Sequence, residues 1–185
     1  MQTIDIATIH ACQRKDEGAF RRIYEAYHKR IYALAYRYTN DSEEALDLTQ
    51  EIFLRVYTGI ANFRGECSLK TWLYRIAVNT IISAIRKSKS HEPLTEEIMN
   101  HPSPAPLADA QLESQELGQY LERAIAALPD SLRLAFVLVA VEHRPYAEVA
   151  DILGLRVEAV RMRVSRARQL LRVALGPYLD EGEIQ

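Results

Sequence analysis

Apolar residues recur at helical spacing along most of the chain, and the clearest pattern lies near its C-terminal end. A short helix from Tyr146 to Leu153 is predicted there by the apolar residues on one of its sides, Val149, Ala150 and Leu153. Gly154 supplies the left-handed corner at which such a helix ends. A second helix is predicted from Val157 to Leu175, because four apolar residues fall within about 60° of one another on it. These four are Val160, Val164, Ala167 and Leu171.

The second of these helices also has a basic side. The segment from Arg161 to Arg172 contains five arginines and no acid. One outward flank of the helix carries Arg161, Ser165, Arg168 and Arg172. A short helix, a glycine turn and a longer helix with a basic outer face are the layout of a DNA-binding helix-turn-helix. A solvated arginine-rich face on an ordinary helical hairpin is the alternative that this stretch alone leaves open.

Two helices of the N-terminal half are predicted to start at aspartates. Asp16 can cap a helix that reaches about residue 38, after a shorter helix over residues 4–14. Asp41 and Glu44 form a capping box for a helix that reaches about residue 61. The polar side of this last helix includes Asp47, Gln50 and Glu51. Taken by itself, such a side is ordinarily a solvated surface.

The next predicted helix, from Leu69 to Ser88 with Ser68 as its cap, combines an apolar side with a basic one. Its apolar side holds Trp72, Leu73, Ile76, Ala77, Ile81 and Ile85. Its other side holds Lys70, Thr71, Tyr74, Arg75, Asn79, Arg86 and Lys87. Rings interleaved with cations and an amide suit single-stranded nucleic acid, because bases stack on rings while cations hold the backbone. A core tryptophan beside a solvated basic face explains the pattern equally well.

Helical periodicity stops after Ser88. Four of the seven prolines lie between Pro93 and Pro106, in an acidic stretch, which predicts an extended linker. We therefore expect an all-α fold of two helical domains, residues 1–88 and 112–180, joined by a flexible linker over residues 89–111. The second domain is predicted to open with a helix whose inward residues are Leu117, Leu121, Ile125 and Leu128. Asp130 or Ser131 is predicted to cap the helix after it.

Composition narrows the class of protein further. The longest apolar run, Leu134 to Val141, has eight residues, far fewer than the ~20 that cross a bilayer. The N-terminus lacks the pattern of a secretion signal, so a cytoplasmic protein without direct membrane insertion is expected. Its two cysteines, Cys12 and Cys67, suit a reducing compartment. Neither a glycine-rich phosphate loop nor a catalytic or metal-ligand grouping is found, so we expect no enzyme activity, no metal and no cofactor.

The net charge of −2 is unexpected for a DNA-binding protein, but the charges alternate in blocks. Residues 41–57 carry five acids and one base, residues 64–89 carry six bases and one acid, and residues 91–122 carry seven acids with no Lys or Arg. Such blocks can present a basic face to phosphate while the whole chain stays near neutral, although non-specific affinity for DNA is then weak. A second partner is therefore expected to hold the chain on DNA.

The order and spacing of several stretches resemble the sigma-70 family of bacterial RNA polymerase initiation factors, in its small extracytoplasmic-function form. The stretches are DLTQEIFLRVY at 47–57, FRGECSLKTWLYRIAVNT at 63–80, and ALPDSLRLAF at 127–136, which leads into EVADILGLRVEAVRMRVSRAR at 148–168. The resemblance implies an alternative sigma factor that binds core RNA polymerase, recognises the minus-35 and minus-10 promoter elements and aids promoter melting.

The resemblance also implies roles for particular residues. The residues implied to dock on a coiled coil of the largest polymerase subunit are Asp47, Gln50 and Glu51. Those implied to open the minus-10 element and capture a flipped non-template base are Phe63, Arg64, Trp72, Arg75 and Asn79, with Lys70, Arg86 and Lys87 on phosphates. Those implied to read the minus-35 duplex are Arg161, Arg163, Ser165, Arg166 and Arg168, with their base and phosphate roles left open.

The implied partners are core RNA polymerase, promoter DNA as duplex and as melted non-template strand, and an anti-sigma factor that covers both domains. Two other functions remain open at this point. One is a free-standing helix-turn-helix regulator whose N-terminal helices sense a ligand or dimerise. The other is a helical adaptor that docks on polymerase but no longer reads DNA.

Overall fold

The first helices of the chain begin where aspartate side chains cap them. A computed structural model of the protein describes residues 4–89, 118 and 120–180. Its first three helices are α1 (Ile6–Gln13), α2 (Glu17–Thr39) and α3 (Ser42–Gly59). Their N-caps are Asp5, Asp16 and Asp41, whose carboxylates accept backbone N–H groups from the first turn of the helix. The caps predicted at Asp16 and Asp41 are confirmed. The capping box with Glu44 is not, because the N–H of Asp41 donates to the hydroxyl of Thr39 at 3.2 Å.

The rest of the described chain is also helical. A 3₁₀ turn (Ile60–Asn62) follows α3, and α4 (Leu69–Lys89) begins after Ser68, whose hydroxyl accepts the N–H of Thr71 at 3.0 Å. The C-terminal half contains α5 (residues 120–126), α6 (Asp130–Phe136), a π-helical continuation (Val137–Val141), α7 (Tyr146–Leu153) and α8 (Val157–Asp180). The described residues include no strand, and the all-α expectation is confirmed. No helix within these ranges combines the length and the apolar character needed to cross a membrane.

The predicted helix-turn-helix is present. Gly154 ends α7 with φ of 65°, a left-handed conformation that a residue without a Cβ adopts freely. The predicted stripe of α8 is buried, with 5% exposure or less at Val160, Val164, Ala167 and Leu171. The same local pattern that predicted the two helices therefore also fixes how they pack.

Details of the second half differ from the sequence prediction. Pro129 occupies the N-cap position of α6, and neither Asp130 nor Ser131 caps it; Asp130 instead accepts a hydrogen bond from Arg133 Nη2 at 2.8 Å. Leu121, predicted to face the core, is 38% exposed, because the buried side of α5 begins only at Ile125. Helix α8 continues to Asp180, past the predicted end at residue 175. Leu117 and the predicted linker, apart from Lys89, lie outside the described residues.

Buried apolar residues of the two halves form one continuous core. Its N-terminal part includes Ile23, Ile31, Ile52, Leu73 and Ile81, and its C-terminal part includes Leu138, Val149, Val160 and Val164. The halves meet mainly where α7 lies against α4. This placement matters for function because α4 carries most of the residues predicted to act on the minus-10 element.

Candidate DNA and partner interfaces

One exposed face of α3 carries the three residues predicted to dock on polymerase. Asp47, Gln50 and Glu51 are all exposed. Glu51 forms an ion pair with Arg55 one turn later, and both side chains are about half exposed. Part of the charge of Glu51 is therefore neutralised within the helix, whereas Asp47 and Gln50 present their polar groups outward.

The same face of α3 exposes apolar side chains that the sequence analysis missed. Leu46 is 50% exposed, Leu54 64% and Tyr57 36%. All three lie off the buried stripe formed by Ala45, Leu48, Ile52 and Val56, and this offset is the signal that could have identified them. Large apolar side chains that cluster beside carboxylates on an exposed face are typical of a surface that contacts another protein.

Two aromatic rings meet where α3 leads into α4. The ring centroids of Phe63 and Trp72 are 5.3 Å apart and their planes are inclined by 53°. Trp72 lies close to Gly59, where an added Cβ would be only 3.3 Å from ring atom Cζ2, so the glycine leaves room for the indole. Arg64, directly after Phe63, is exposed. An aromatic pair with an adjacent cation can stack on a base and contact a phosphate.

Helical geometry extends this surface along α4. Asn79 and Arg86 follow Trp72 by seven and fourteen residues, so they lie on the same side of the helix, and both are exposed. Lys87 is also exposed. The structure thus brings Phe63, Trp72, Asn79 and Arg86 to one edge of the N-terminal half.

Lys70 lies elsewhere. It precedes Trp72 by two residues and therefore sits about 160° away around the helix. Burial of its ammonium, and secondarily the nearby charge of Arg144, lowers the pKa of Lys70. Because Arg144 belongs to the C-terminal half, Lys70 lies toward the contact between the halves and not beside Asn79.

The C-terminal half covers the remaining side of α4. Thr71 is 5% exposed and Tyr74 0%, so the expectation that they face outward is wrong. The hydroxyl of Tyr74 donates to Glu142 at 2.9 Å and that of Thr71 to Glu148 at 3.3 Å. They are buried because α7 packs against them, a tertiary contact that helical periodicity does not encode.

Arg144 lies at the centre of this contact. Its guanidinium carbon is 3.5 Å from the centroid of the Tyr74 ring, and its side chain is 1% exposed and paired with Glu148. Its buried Nε has no hydrogen-bond partner among the residues that the structure describes. Burial raises the pKa of Tyr74 to about 12, so its hydroxyl keeps the proton that it donates to Glu142. A cation–π contact from Arg144 and the hydrogen bonds from the Tyr74 and Thr71 hydroxyls thus join the halves, and the ion pair with Glu148 holds Arg144 in place.

The contact involves one predicted DNA-binding residue directly. Arg75 Nε donates to the backbone carbonyl of Asp151 at 2.8 Å. This carbonyl belongs to the last turn of α7, where carbonyls lack partners within the helix. In this arrangement part of the predicted minus-10 surface is bound to the helix-turn-helix itself.

The predicted minus-35 surface, in contrast, is open. Its exposed members are Arg161, Ser165, Arg166 and Arg168. Arg163 is only partly exposed and lies about 200° around α8 from Arg161, so the structure places it on another flank. The guanidinium carbon of Arg161 is 6.0 Å from the centroid of the Tyr146 ring.

A second contact joins the end of α2 to the C-terminal half. The guanidinium carbon of Arg133 is 4.6 Å from the centroid of the Tyr38 ring. Arg37 Nε lies 3.7 Å from Glu122 Oε1. Burial raises the pKa of Tyr38. The C-terminal half therefore contacts α2 and α4 at once, and arginine–tyrosine pairs occur at both contacts.

Comparison with known protein families matches both halves of the chain. Residues 23–91 match Sigma-70 region 2, and residues 118–171 match Sigma-70, region 4. RNA polymerase sigma-H factor of Pseudomonas aeruginosa is 31% identical over an alignment that covers 97% of this chain and 98% of that protein. The ECF RNA polymerase sigma factor SigW of Bacillus subtilis is 33% identical over an alignment that covers 90% of this chain and 94% of SigW.

Two solved structures share the fold over most of their length. CnrH, solved in complex with the cytosolic domain of CnrY, has a TM-score of 0.68 at 23% identity, covering 95% of this chain and 99% of its own. Sigma factor RpoE from Bartonella quintana, solved with the anti-sigma factor NepR, has a TM-score of 0.65 at 25% identity, with coverage of 85% and 96%. The first shows the fold alone, while the second also supports the family.

Replacing Arg144 tests whether the polar contact holds the halves together. Arg144→Met should loosen the contact between them, because Tyr74 loses its cation and Glu148, which accepts from Thr71, loses the arginine that orients it; a desolvated cation–π contact contributes about 2 kcal/mol. Small-angle X-ray scattering should show a larger radius of gyration than for the wild type. Arg156→Met, which changes an exposed arginine, is the control, and an unchanged scattering curve for Arg144→Met would contradict the assignment.

Proposed function

Because the chain belongs to the sigma-70 family and is an alternative sigma factor of the extracytoplasmic-function type that directs transcription initiation, we propose that three exposed surfaces divide this task. The α3 face docks on core RNA polymerase, the edge around Phe63 and Trp72 opens the minus-10 element, and the basic flank of α8 reads the minus-35 duplex. The first two belong to an N-terminal domain of residues 1–88 and the third to a C-terminal domain of residues 112–180. The family assignment excludes the free-standing regulator.

Docking is proposed to combine charge with apolar contact. Asp47 and Gln50 supply polar groups, while Leu46, Leu54 and Tyr57 expose apolar surface beside them. Desolvated apolar anchors surrounded by polar groups carry most of the binding energy in protein interfaces, whereas exposed charges mainly steer association. The docking surface is therefore assigned to Asp47, Gln50 and Glu51 together with Leu46 and Leu54.

The single observation that carries the melting role is the Phe63–Trp72 pair, with 5.3 Å between its ring centroids. A promoter base that leaves its stack loses a few kcal/mol, which a surface that accepts the flipped base must restore. The rings offer a stacking surface, and Asn79 offers an amide that can hydrogen-bond a base edge. Arg64, Arg75 and Arg86 are assigned to the backbone of the non-template strand, with a lesser part for Lys70 and Lys87.

Full engagement of the promoter is proposed to require separation of α4 from α7. Arg75 is bound to Asp151, and the adjacent Thr71 and Tyr74 are buried against the C-terminal half. Polymerase, by holding each domain at its own site, would favour the separated state in proportion to its differential affinity for that state. Separation also breaks the hydrogen bonds that Glu142 and Glu148 accept from Tyr74 and Thr71.

A protein inhibitor is part of this proposal. RpoE from Bartonella quintana was solved with an anti-sigma factor, and the exposed apolar residues of α3 offer the present chain a surface for a protein partner. We further propose that the chain acts in the cytoplasm, where promoter DNA and polymerase meet, and that it contributes no catalysis of its own.

Asp47→Lys and Leu54→Lys should each weaken binding to core polymerase about tenfold or more, the loss expected for hot-spot residues of an interface. Both positions are exposed, so the melting temperature should change little. The affinity is measured by fluorescence anisotropy of the labelled chain with purified core enzyme. Glu25→Lys and Ile6→Lys change exposed residues of α2 and α1 as controls. Equal affinity of all four variants would remove the docking assignment.

Asn79→Ala and Trp72→Ala should slow promoter opening more than they weaken closed-complex formation, since one base–aromatic contact contributes about 1–3 kcal/mol. Permanganate reactivity of the minus-10 thymines reports opening, and footprinting at low temperature reports the closed complex. A promoter with a premelted minus-10 region bypasses opening and should restore most of the activity of Asn79→Ala. If both variants open the duplex at the wild-type rate, the melting site lies elsewhere.

Arg161→Ala and Arg168→Ala should separate phosphate contacts from base contacts. Loss of a phosphate contact reduces the slope of log affinity against log salt by about 0.9, whereas loss of a base contact relaxes discrimination at one position by about 1–3 kcal/mol. Holoenzyme binding to an upstream duplex that contains the minus-35 element is measured over a salt series. Arg123→Ala, an exposed arginine of α5, is the control. Two variants that match this control in both quantities would refute the minus-35 assignment.

A further inference from the structure

A side chain of the N-terminal helix is bonded to the turn that follows α3. Gln13 Nε2 donates to the carbonyl oxygen of Phe63 at 2.8 Å. The N–H of Phe63 donates to the carbonyl of Ile60 at 3.1 Å. Both backbone polar groups of Phe63 are therefore paired, although the residue lies outside the regular helices. Pairing both groups restricts the backbone of Phe63 to one conformation.

Helix α1 provides a fixed point from which Gln13 reaches this turn. Its first turn is capped by Asp5, whose carboxylate accepts the N–H of Thr8 at 2.8 Å. Thr8 and Cys12 are buried, with 8% and 3% exposure, and Cys12 belongs to the continuous core. Gln13 is the last residue of α1, directly after this buried cysteine. The helix is held by the core, and its last side chain projects to Phe63.

The Gln13 bond acts on the member of the aromatic pair that lies outside the helices. Trp72 is carried by α4 and lies against Gly59, so its position is set by two helices. Phe63 is carried by a turn, and its ring position depends on the two backbone hydrogen bonds described above. Displacement of its carbonyl would move the ring away from Trp72.

We infer that Gln13 is a positioning residue for capture of the non-template base. It contacts no DNA itself; its amide holds the Phe63 ring at the separation from Trp72 that lets a base stack. The inference deepens the proposed function and depends on it. The match to Sigma-70 region 2 begins at residue 23, so α1 and Gln13 lie outside the matched segment.

The first test uses the free full-length chain, whose single tryptophan is Trp72. Gln13→Met keeps the length and neutrality of the side chain but removes the N–H donor, and Gln13→Glu keeps the shape but only accepts. Both should make Trp72 fluorescence more accessible to iodide, because the Phe63 ring no longer shields the indole. Gln169→Met, at an exposed glutamine of α8, is the control. Circular dichroism verifies that each variant is folded.

The second test uses the holoenzyme on promoter DNA. Gln13→Met should slow promoter opening about two- to tenfold, the size of one lost neutral hydrogen bond, and should leave closed-complex affinity unchanged. On a Phe63→Ala background the same substitution should have no further effect, because residues that act through one contact are not additive. An electrostatic effect on DNA would instead slow only the Glu variant.

The outcomes separate this inference from the proposed function. If Phe63→Ala alone slows opening, three results would each overturn the role of Gln13. The first is normal opening and normal quenching with Gln13→Met, the second is a defect confined to Gln13→Glu, and the third is additive defects of Gln13→Met and Phe63→Ala. Normal opening with Phe63→Ala would overturn the proposed melting site itself and the inference with it. Both the inference and the proposed function are supported if Gln13→Met slows opening, adds nothing to the effect of Phe63→Ala and makes Trp72 more accessible to iodide.

Discussion

The arrangement of the molecule depends on the guanidinium of Arg144, which is enclosed between the two halves. Transferring a charge from water into the protein interior costs several kcal/mol of free energy. The ion pair with Glu148 and the cation–π contact with Tyr74 offset only part of this cost. Its Nε remains without a partner among the described residues, which adds a further penalty. A contact of this kind fixes orientation better than it adds stability. The polar contact therefore fixes how the halves are oriented, and the apolar core that they share supplies the attraction between them.

That balance suits a protein whose DNA-reading surfaces must act at two places on a promoter. In the arrangement described, the flank of α8 is exposed while Arg75 is occupied by α7. A closed state favoured by a factor of about one hundred would lower the apparent affinity for the minus-10 strand by the same factor. The weak DNA affinity expected from net charge would then have a second, conformational cause.

Local sequence was sufficient for most of the helices and for part of the candidate site. The caps at Asp16 and Asp41 and the buried stripe of α8 follow from interactions within a few residues, and the sequence predicted them. The burial of Tyr74 depends on which elements pack together, and helical periodicity therefore assigned it wrongly to the exposed side. The exposure of Leu54 depends on tertiary packing in the same way, and periodicity did not reveal it. Gln13 was missed because its partner is 50 residues away and is a backbone atom, which no side-chain pattern reveals.

Charge explains how the same chain can favour either state. In the closed arrangement Glu142 and Glu148 lie against the α4 surface, in positions where their negative charge faces the helix that is proposed to bind phosphates. On the proposed opening these acids would move away from α4, and DNA phosphates could approach its edge around Trp72 and Asn79. Salt weakens contacts with DNA by counterion release but screens a buried ion pair much less. Rising ionic strength is therefore expected to shift the proposed equilibrium from the DNA-bound state toward the closed one. A partner that binds through apolar contacts, which the exposed leucines of α3 would allow, would keep its affinity when the salt-sensitive contacts weaken.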